Sequence, residues 1–250
     1  MTPSPPLEPF ELRFHFQGDL PFFVRPNRGQ TEVVRQLCEK TSIKDAIEAC
    51  GVPHPEVDLI LVDGQPVDFS YQLQAPARID VYPVSVPEPF PGRRLQDREQ
   101  ARFVADGHLG KLTRDLRLLG VDVAYSALAS DRELLAIAVA EDRGLLTRDR
   151  PLLMHAAVRA GYYPRSQQAE EQTREVIARF RLRDRIAPFS RCLHCNGRLA
   201  AVPKEEVLEQ LEPLTKIYYD TFRRCQQCGR IYWGGSHFER LQKRIKQLLK

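Results

Sequence analysis

Nowhere in its 250 residues does the chain carry anything near the ~20 consecutive apolar residues needed to cross a bilayer. Its first residues, Met1-Thr2-Pro3-Ser4-Pro5-Pro6, have neither a basic group nor an apolar run. No export signal is expected, and the cytoplasm is the expected compartment. There is no internal repeat. Cysteine is scarce, six residues in all, and cytosolic thiols stay reduced, so disulfides are not the first expectation. The 42% hydrophobic and 28% charged residues are ordinary for a folded protein, and the length suits two or three modest domains.

A large excess of one charge is also missing, since the net value is only +4. Its distribution is uneven. Residues 1–90 hold 7 Lys/Arg against 13 Asp/Glu (−6), residues 91–180 hold 15 against 13 (+2), and residues 181–250 hold 15 against 7 (+8). An acidic head and a basic tail suggest that the tail meets a polyanion; helix faces merely solvated by surplus cations are the alternative.

Glu11-Leu12-Arg13-Phe14-His15-Phe16 alternates at period two, as a half-buried strand does. Ser42 to Gly51 has a capping serine, apolar positions 43, 46, 47 and 50 and a terminal glycine, which predicts a short helix. Val57–Val62 and Arg78–Tyr82 read as strands, with Asp63-Gly64 a turn. Together they predict a small β-grasp sheet over residues 1–84, which resembles the ubiquitin-like domains related to sulfur carriers. Carriers act through a free C-terminal Gly-Gly, whereas here the last strand runs into Pro83 and onward. A docking module for a protein partner, or a stabilising one, is the expectation. Cys38 and Cys50 have no metal spacing and are expected in its core. The proline-rich stretch from Pro83 to Gly92 predicts a semi-rigid linker, with boundaries at 85–98.

From 99 to 185 the pattern changes to alternating strand and helix. Arg102–Asp106, Val121–Tyr125 and Gly144–Thr147 read as strands, with a fourth over Tyr162–Arg165. Helices are predicted with leucines at 109, 112, 116 and 119, from Asp131, over Leu152–Ala160 and over Glu170–Phe180. Repeated βα units imply a parallel sheet covered on both faces, in an α/β fold. Ligands of such sheets gather beyond the carboxyl ends of the strands. Asp106, Asp131 and Asp149 all fall at that edge. Three converging carboxylates repel one another unless a cation intervenes, and Mg²⁺ or Mn²⁺ suits oxygen ligands. Each also has a plainer role, as a turn or helix-cap residue. Glu133 ranks as auxiliary, and Asp115, Asp122 and Asp142 read as solvated. Lys111, Arg114 and Arg117 recur at three-residue spacing beside the leucine stripe; these cations and Arg148 either meet phosphates or form helix ion pairs.

The runs Arg102-Phe103-Val104-Ala105-Asp106-Gly107-His108-Leu109-Gly110-Lys111-Leu112, Leu116-Arg117-Leu118-Leu119-Gly120, Ser130-Asp131-Arg132-Glu133-Leu134 and Leu145-Leu146-Thr147-Arg148-Asp149-Arg150 resemble the Mut-seven C-terminal RNase family. That family is a branch of PIN-like nucleases, usually with a zinc ribbon and often preceded by a ubiquitin-like domain. The resemblance covers nearly the whole chain, including domain order. It implies RNA cleavage at acidic metal ligands, carried here onto Asp106, Asp131 and Asp149. PIN-like sites often use a fourth acid, for which this sequence offers no clear candidate.

Cys192-Leu193-His194-Cys195 and Cys225-Gln226-Gln227-Cys228 are two C-x2-C knuckles, which fit a closed, structural S₄ site for Zn²⁺ in a zinc ribbon over residues 186–250. Gly197 and Gly229 allow the tight turns, Lys204–Leu211 is a candidate helix between the knuckles, and His194 and His237 are not expected as ligands. Arg191, Arg198, Arg223, Arg224 and Arg230 interleave with Tyr218, Tyr219, Phe222, Tyr232 and Trp233. Arginine binds phosphate and rings stack on unpaired bases, but the aromatics equally suit a ribbon core. From Ser236, read as an N-cap, runs a basic amphipathic helix. The sequence therefore predicts a metal-dependent ribonuclease whose ribbon aids RNA binding, with a non-catalytic zinc-ribbon RNA-binding adaptor as the competing reading.

Overall fold

Period-two alternation from Phe10 onward builds β1 (Phe10–Phe16) in the computed structural model, which describes residues 9–86 and 92–250, the side chains of Ser236 and His237 apart. Residues 87–91 of the predicted proline linker lie outside the described residues. The chain separates into two units, Met1–Arg98 with Asp149–Tyr163, and Glu99–Arg148 with Pro164–Lys250. Among the described residues no helix is long and apolar enough to cross a membrane.

In the first unit β1 is followed by β2 (Glu32–Leu37), β3 (Thr41–Ser42), α1 (Ile43–Ala49), β4 (Val57–Val62), β5 (Gln65–Val67), β6 (Gln72–Leu73) and β7 (Ala77–Pro83). The sheet order is β2-β1-β7-β4-β5, with β1 and β7 parallel at its centre and the other pairs antiparallel. First and last strands side by side, crossed by one helix, make a β-grasp. Ser42 caps α1 by accepting the Asp45 amide at 3.1 Å, and Ile43, Ala46 and Ile47 enter the core with Phe14, Phe16 and Ile60. Cys50 is buried there as expected, but Cys38 is exposed. It follows the edge strand β2, where the alternation leaves no fully buried position.

The second unit opens with β8 (Arg102–Ala105), α2 (Gly110–Leu118), β9 (Asp122–Tyr125), α3 (Asp131–Ala140) and β10 (Gly144–Leu146). These three strands are parallel, in the order β10-β8-β9. The chain then re-enters the first unit as α4 (Arg150–Leu153) and β11 (Gly161–Tyr162). There Arg150 donates to the carbonyls of Phe22 and Phe23 at 3.2 and 2.9 Å, and Glu56 accepts the Tyr163 amide at 2.7 Å. The helix expected over 152–160 is thus a single turn, because the His155 ring takes the Ala157 amide at 3.2 Å and diverts the backbone. The fourth strand is likewise only two residues long, with Pro164 close behind it.

Back in the second unit, α5 (Ala169–Arg179) packs on α2, and Phe180 meets Phe103 at a ring separation of 4.8 Å. The ribbon follows as β12 (Leu199–Val202), α6 (Pro213–Tyr218), β13 (Phe222–Cys225) and β14 (Ile231–Trp233), an antiparallel sheet around Val207, Leu211 and Phe222. Instead of a helix over 204–211 there are two 3₁₀ turns, Lys204–Glu206 and Leu208–Gln210. Pro203 and Pro213 confine that segment, too short a span to repay helix nucleation. The last helix, α7 (Ser236–Leu248), has Gly235 rather than Ser236 at its cap position. Arg244 pins it to α2 and α5, with contacts of 2.6 Å to both Asp115 and Glu170. Asp115 is therefore buried in an ion-pair network, not solvated.

Candidate functional site

Parallel register places Ala105 beside both Leu146 and Tyr125, so β8, β10 and β9 end on one edge. The chain steps from β8 to β9 and then returns to β10 on the other side of β8. The carboxyl ends of β8 and β10 thus flank a topological switch point, where open α/β sheets bind ligands. Asp106 follows β8 and Thr147 follows β10, and the Thr147 hydroxyl donates to Asp106 Oδ2 at 2.7 Å. Asp106 is only 8% exposed. His108 Nε2 stands 4.0 Å from its other oxygen, and among the described residues no lysine or arginine pairs with it. The surrounding turns are close-packed. A Cβ on Gly107 lies 2.7 Å from the Ala127 carbonyl oxygen, and one on Gly110 lies 2.7 Å from Tyr125 Oη. That hydroxyl donates to the Gly107 carbonyl at 2.9 Å. Thr147 was legible only as a strand residue; the signal for more was a hydroxyl two positions before an aspartate at the strand end.

Asp131 is exposed in the first turn of α3, behind the Ser130 cap. Glu133 closes the capping box, accepting the Ser130 amide at 2.8 Å. Asp149 belongs to the first unit, where its Oδ1 caps α4 through the Leu152 amide at 2.9 Å. Among the described residues, the group of three or more His, Cys, Asp or Glu side chains close enough to share an ion is formed by cysteines. Neither Asp106 nor Asp131 belongs to it.

Lys111 and Arg114 are exposed on α2, and Arg148 donates to Gln167 at 2.7 Å. Arg117 overturns the expectation of a phosphate contact. It is 4% exposed, and its guanidinium donates to the carbonyls of Val123 at 2.8 and 3.0 Å and His194 at 2.8 Å. Position 117 faces the strand side of α2, where the helical stripe of leucines also points.

The four thiol sulfurs of Cys192, Cys195, Cys225 and Cys228 lie within 4.8 Å of one another, with 3.7 Å between Cys192 and Cys228 and 3.4 Å between Cys195 and Cys225. Tetrahedral ligation at a Zn–S distance of ~2.3 Å needs sulfurs ~3.8 Å apart, so the quartet fits Zn²⁺. Burial pushes the Cys195 thiol up to about 12, while hydrogen bonds, led by that of Tyr232 at 3.0 Å, outweigh burial and hold Cys192 at about 6. A Cβ on Gly197 lies 2.7 Å from the Cys225 sulfur, so only glycine fits there.

This knuckle also covers the sheet edge. Asn196 accepts the Val123 amide at 3.1 Å while Arg117 takes the Val123 carbonyl, satisfying both backbone groups of this residue in the outer strand β9. Asp122, read as solvated, is instead a hub. Arg143 donates to it at 2.6 Å, Asn196 at 2.7 Å and Arg191 at 3.0 Å. Elsewhere on the ribbon, Arg223 and Arg224 donate to the Phe189 and Glu206 carbonyls at 3.0 and 2.8 Å. Phe222 is core, whereas Tyr218 is 71% and Trp233 40% exposed.

Fold and site together define a β-grasp module followed by a parallel α/β sheet that carries a four-cysteine ribbon. The chain belongs to the Mut7-C RNAse domain family, whose profile matches residues 101–245, and the Mut7-C ubiquitin profile matches residues 10–88. No curated protein matches it.

Proposed function

We propose that the chain is a metal-dependent ribonuclease, with Asp106, Asp131 and Asp149 as the acidic ligands of Mg²⁺ or Mn²⁺ and a zinc-bearing ribbon that aids RNA binding. The observation that carries this reading is Asp106, a shielded carboxylate at the switch point without a lysine or arginine partner. Such a charge is costly to bury unless a cation compensates it, and an all-oxygen donor set suits a hard divalent ion. A bound ion there supplies positive charge for phosphate oxygens and acidifies a water. Thr147 orients Asp106, while Lys111, Arg114 and Arg148 meet the RNA backbone. Exposed Tyr218 and Trp233 stack on unpaired bases, beside Arg223 and Arg224.

The test is cleavage of a single-stranded RNA by the purified full chain in Mn²⁺ or Mg²⁺. Asp106→Asn and Asp149→Asn are each expected to reduce turnover by at least about 10²-fold, as losing one transition-state charge stabiliser does. Undiminished cleavage by either variant removes that residue from the site. The second reading, a non-catalytic RNA-binding adaptor, is favoured by the capping role of Asp149. Tight, salt-sensitive binding without divalent-dependent cleavage supports it instead.

A further inference from the structure

At the opposite, amino edge of the same sheet lies a cavity of about 490 Å³ ringed by Arg102, Arg185, Arg191 and Arg198. Val121 and Leu182 supply apolar wall, and Asp122 is its acidic lining residue. That carboxylate is already engaged by Arg143 and Arg191. Arg185 pairs with Glu99 at 2.6 Å and Arg102 reaches Glu141 only at 3.6 Å, whereas Arg198 has no ion pair among the described residues. Arg191 and Arg198 face each other across an antiparallel bridge. Like charges placed directly opposite destabilise a strand pair, and Asp122 answers only Arg191 of these two. Four guanidiniums around a cavity within the range of small-ligand sites, one on β8, one on the helical turn Leu182–Arg185 and two flanking the first cysteine knuckle, thus form a pre-assembled anion receptor.

We infer that this cavity is a second phosphate-binding site, separate from the Asp106 edge, taking the phosphate groups of an RNA strand or of a free nucleotide. Arg102 and Asp122 open β8 and β9, so the cavity stands one strand length, roughly 13 Å, from the strand ends near Asp106. A strand held at both edges is fixed in register on the sheet, and its phosphates rather than its bases are read here. The inference draws on the proposed RNA substrate only for the source of the phosphate.

The test measures binding of a fluorescent single-stranded RNA to the full chain at several salt concentrations, without added divalent ion and in an Asp106→Asn background. Inorganic phosphate and adenosine monophosphate are titrated in parallel. Arg185→Ala/Arg198→Ala is expected to weaken RNA binding by roughly tenfold and to reduce the salt slope of log K by about 1.4, that is, about 0.7 for each lost contact. Loss of nucleotide or phosphate binding with an unchanged RNA slope identifies a free phosphate ligand. Retention of both overturns the inference. Should the double variant not fold, Arg198→Gln removes a charge with no ion pair among the described residues, and its slope should fall by about 0.7; no change there, with phosphate and nucleotide binding also kept, overturns it. A wild-type chain that binds in this way but never cleaves defeats the nuclease reading and leaves this site standing.

Discussion

Arg117 and Asp122 tie the cysteine knuckle to the sheet, through the His194 carbonyl and the Asn196 side chain. Replacing Arg117 with Met keeps the stem but strands the carbonyls of Val123 and His194, with an expected cost of about 2–3 kcal/mol in denaturant unfolding. An unchanged midpoint would show those carbonyls finding water. Burial alone would raise the Asp122 carboxyl, but hydrogen bonds from Arg143 and Asn196, with the charges of Arg143 and Arg191, outweigh it and hold it below the ordinary 3.8. A depressed folded value means that its stabilisation is complete above that ordinary value and lost as pH falls through the folded one. Asp122→Asn should therefore lower Tm at neutral pH and flatten its decline below about pH 4. A parallel decline in both proteins would exclude Asp122 as its source. Spacing could not assign these roles. Asp122 and Arg117 look like ordinary surface charges in the sequence, since their partners at 143, 191, 194 and 196 come from other elements.

At the scale of elements, the knuckle and the outer strand β9 stand or fall together. Zinc content should be about one ion per chain, as a closed four-thiolate site requires. Removing it with a chelator should free Asn196, unpair the edge of β9 and lower Tm, with loss of amide protection at Val123 in hydrogen exchange. Intact protection after metal loss would mean that the ribbon sheet holds the knuckle without an ion. The tight turn after β8 offers a second check. Gly107→Ala drives a methyl into the Ala127 carbonyl and should displace Asp106, reducing cleavage without changing zinc content. The turn at Asp106-Gly107 was readable from the chain. Its closeness to Ala127 was not, because that approach comes from a loop twenty residues away.

For the whole molecule, the division into units does not follow the order of the chain. Residues 149–163 lie within the segment that matches the RNase family, yet they belong to the β-grasp unit, where Arg150, Val158 and Tyr163 bond to Phe22, Phe23, His54 and Glu56. A fragment starting at Glu99 loses all of those partners. Limited proteolysis should then cut between 150 and 163 in the fragment but not in the full chain, because local stability follows local contacts. Equal resistance would show that this segment is held by its own turn. The ubiquitin-like module is on this account a stabiliser of that segment.

Composition and periodicity by themselves determined β1, β4 and β7 of the β-grasp sheet, the βα alternation, the two cysteine knuckles and the aspartate at the first strand end. These depend on neighbours in sequence: strand alternation, helix spacing, caps and C-x2-C turns. Only the tertiary structure decided that Arg117 is a buried clamp, that Asp115 and Asp122 are network centres, that Cys38 is exposed and that Arg102, Arg185, Arg191 and Arg198 ring one cavity. Each of those outcomes depends on which distant groups share a low-dielectric site, and a charged side chain has the same local signature whether its partner is water or a residue seventy positions away.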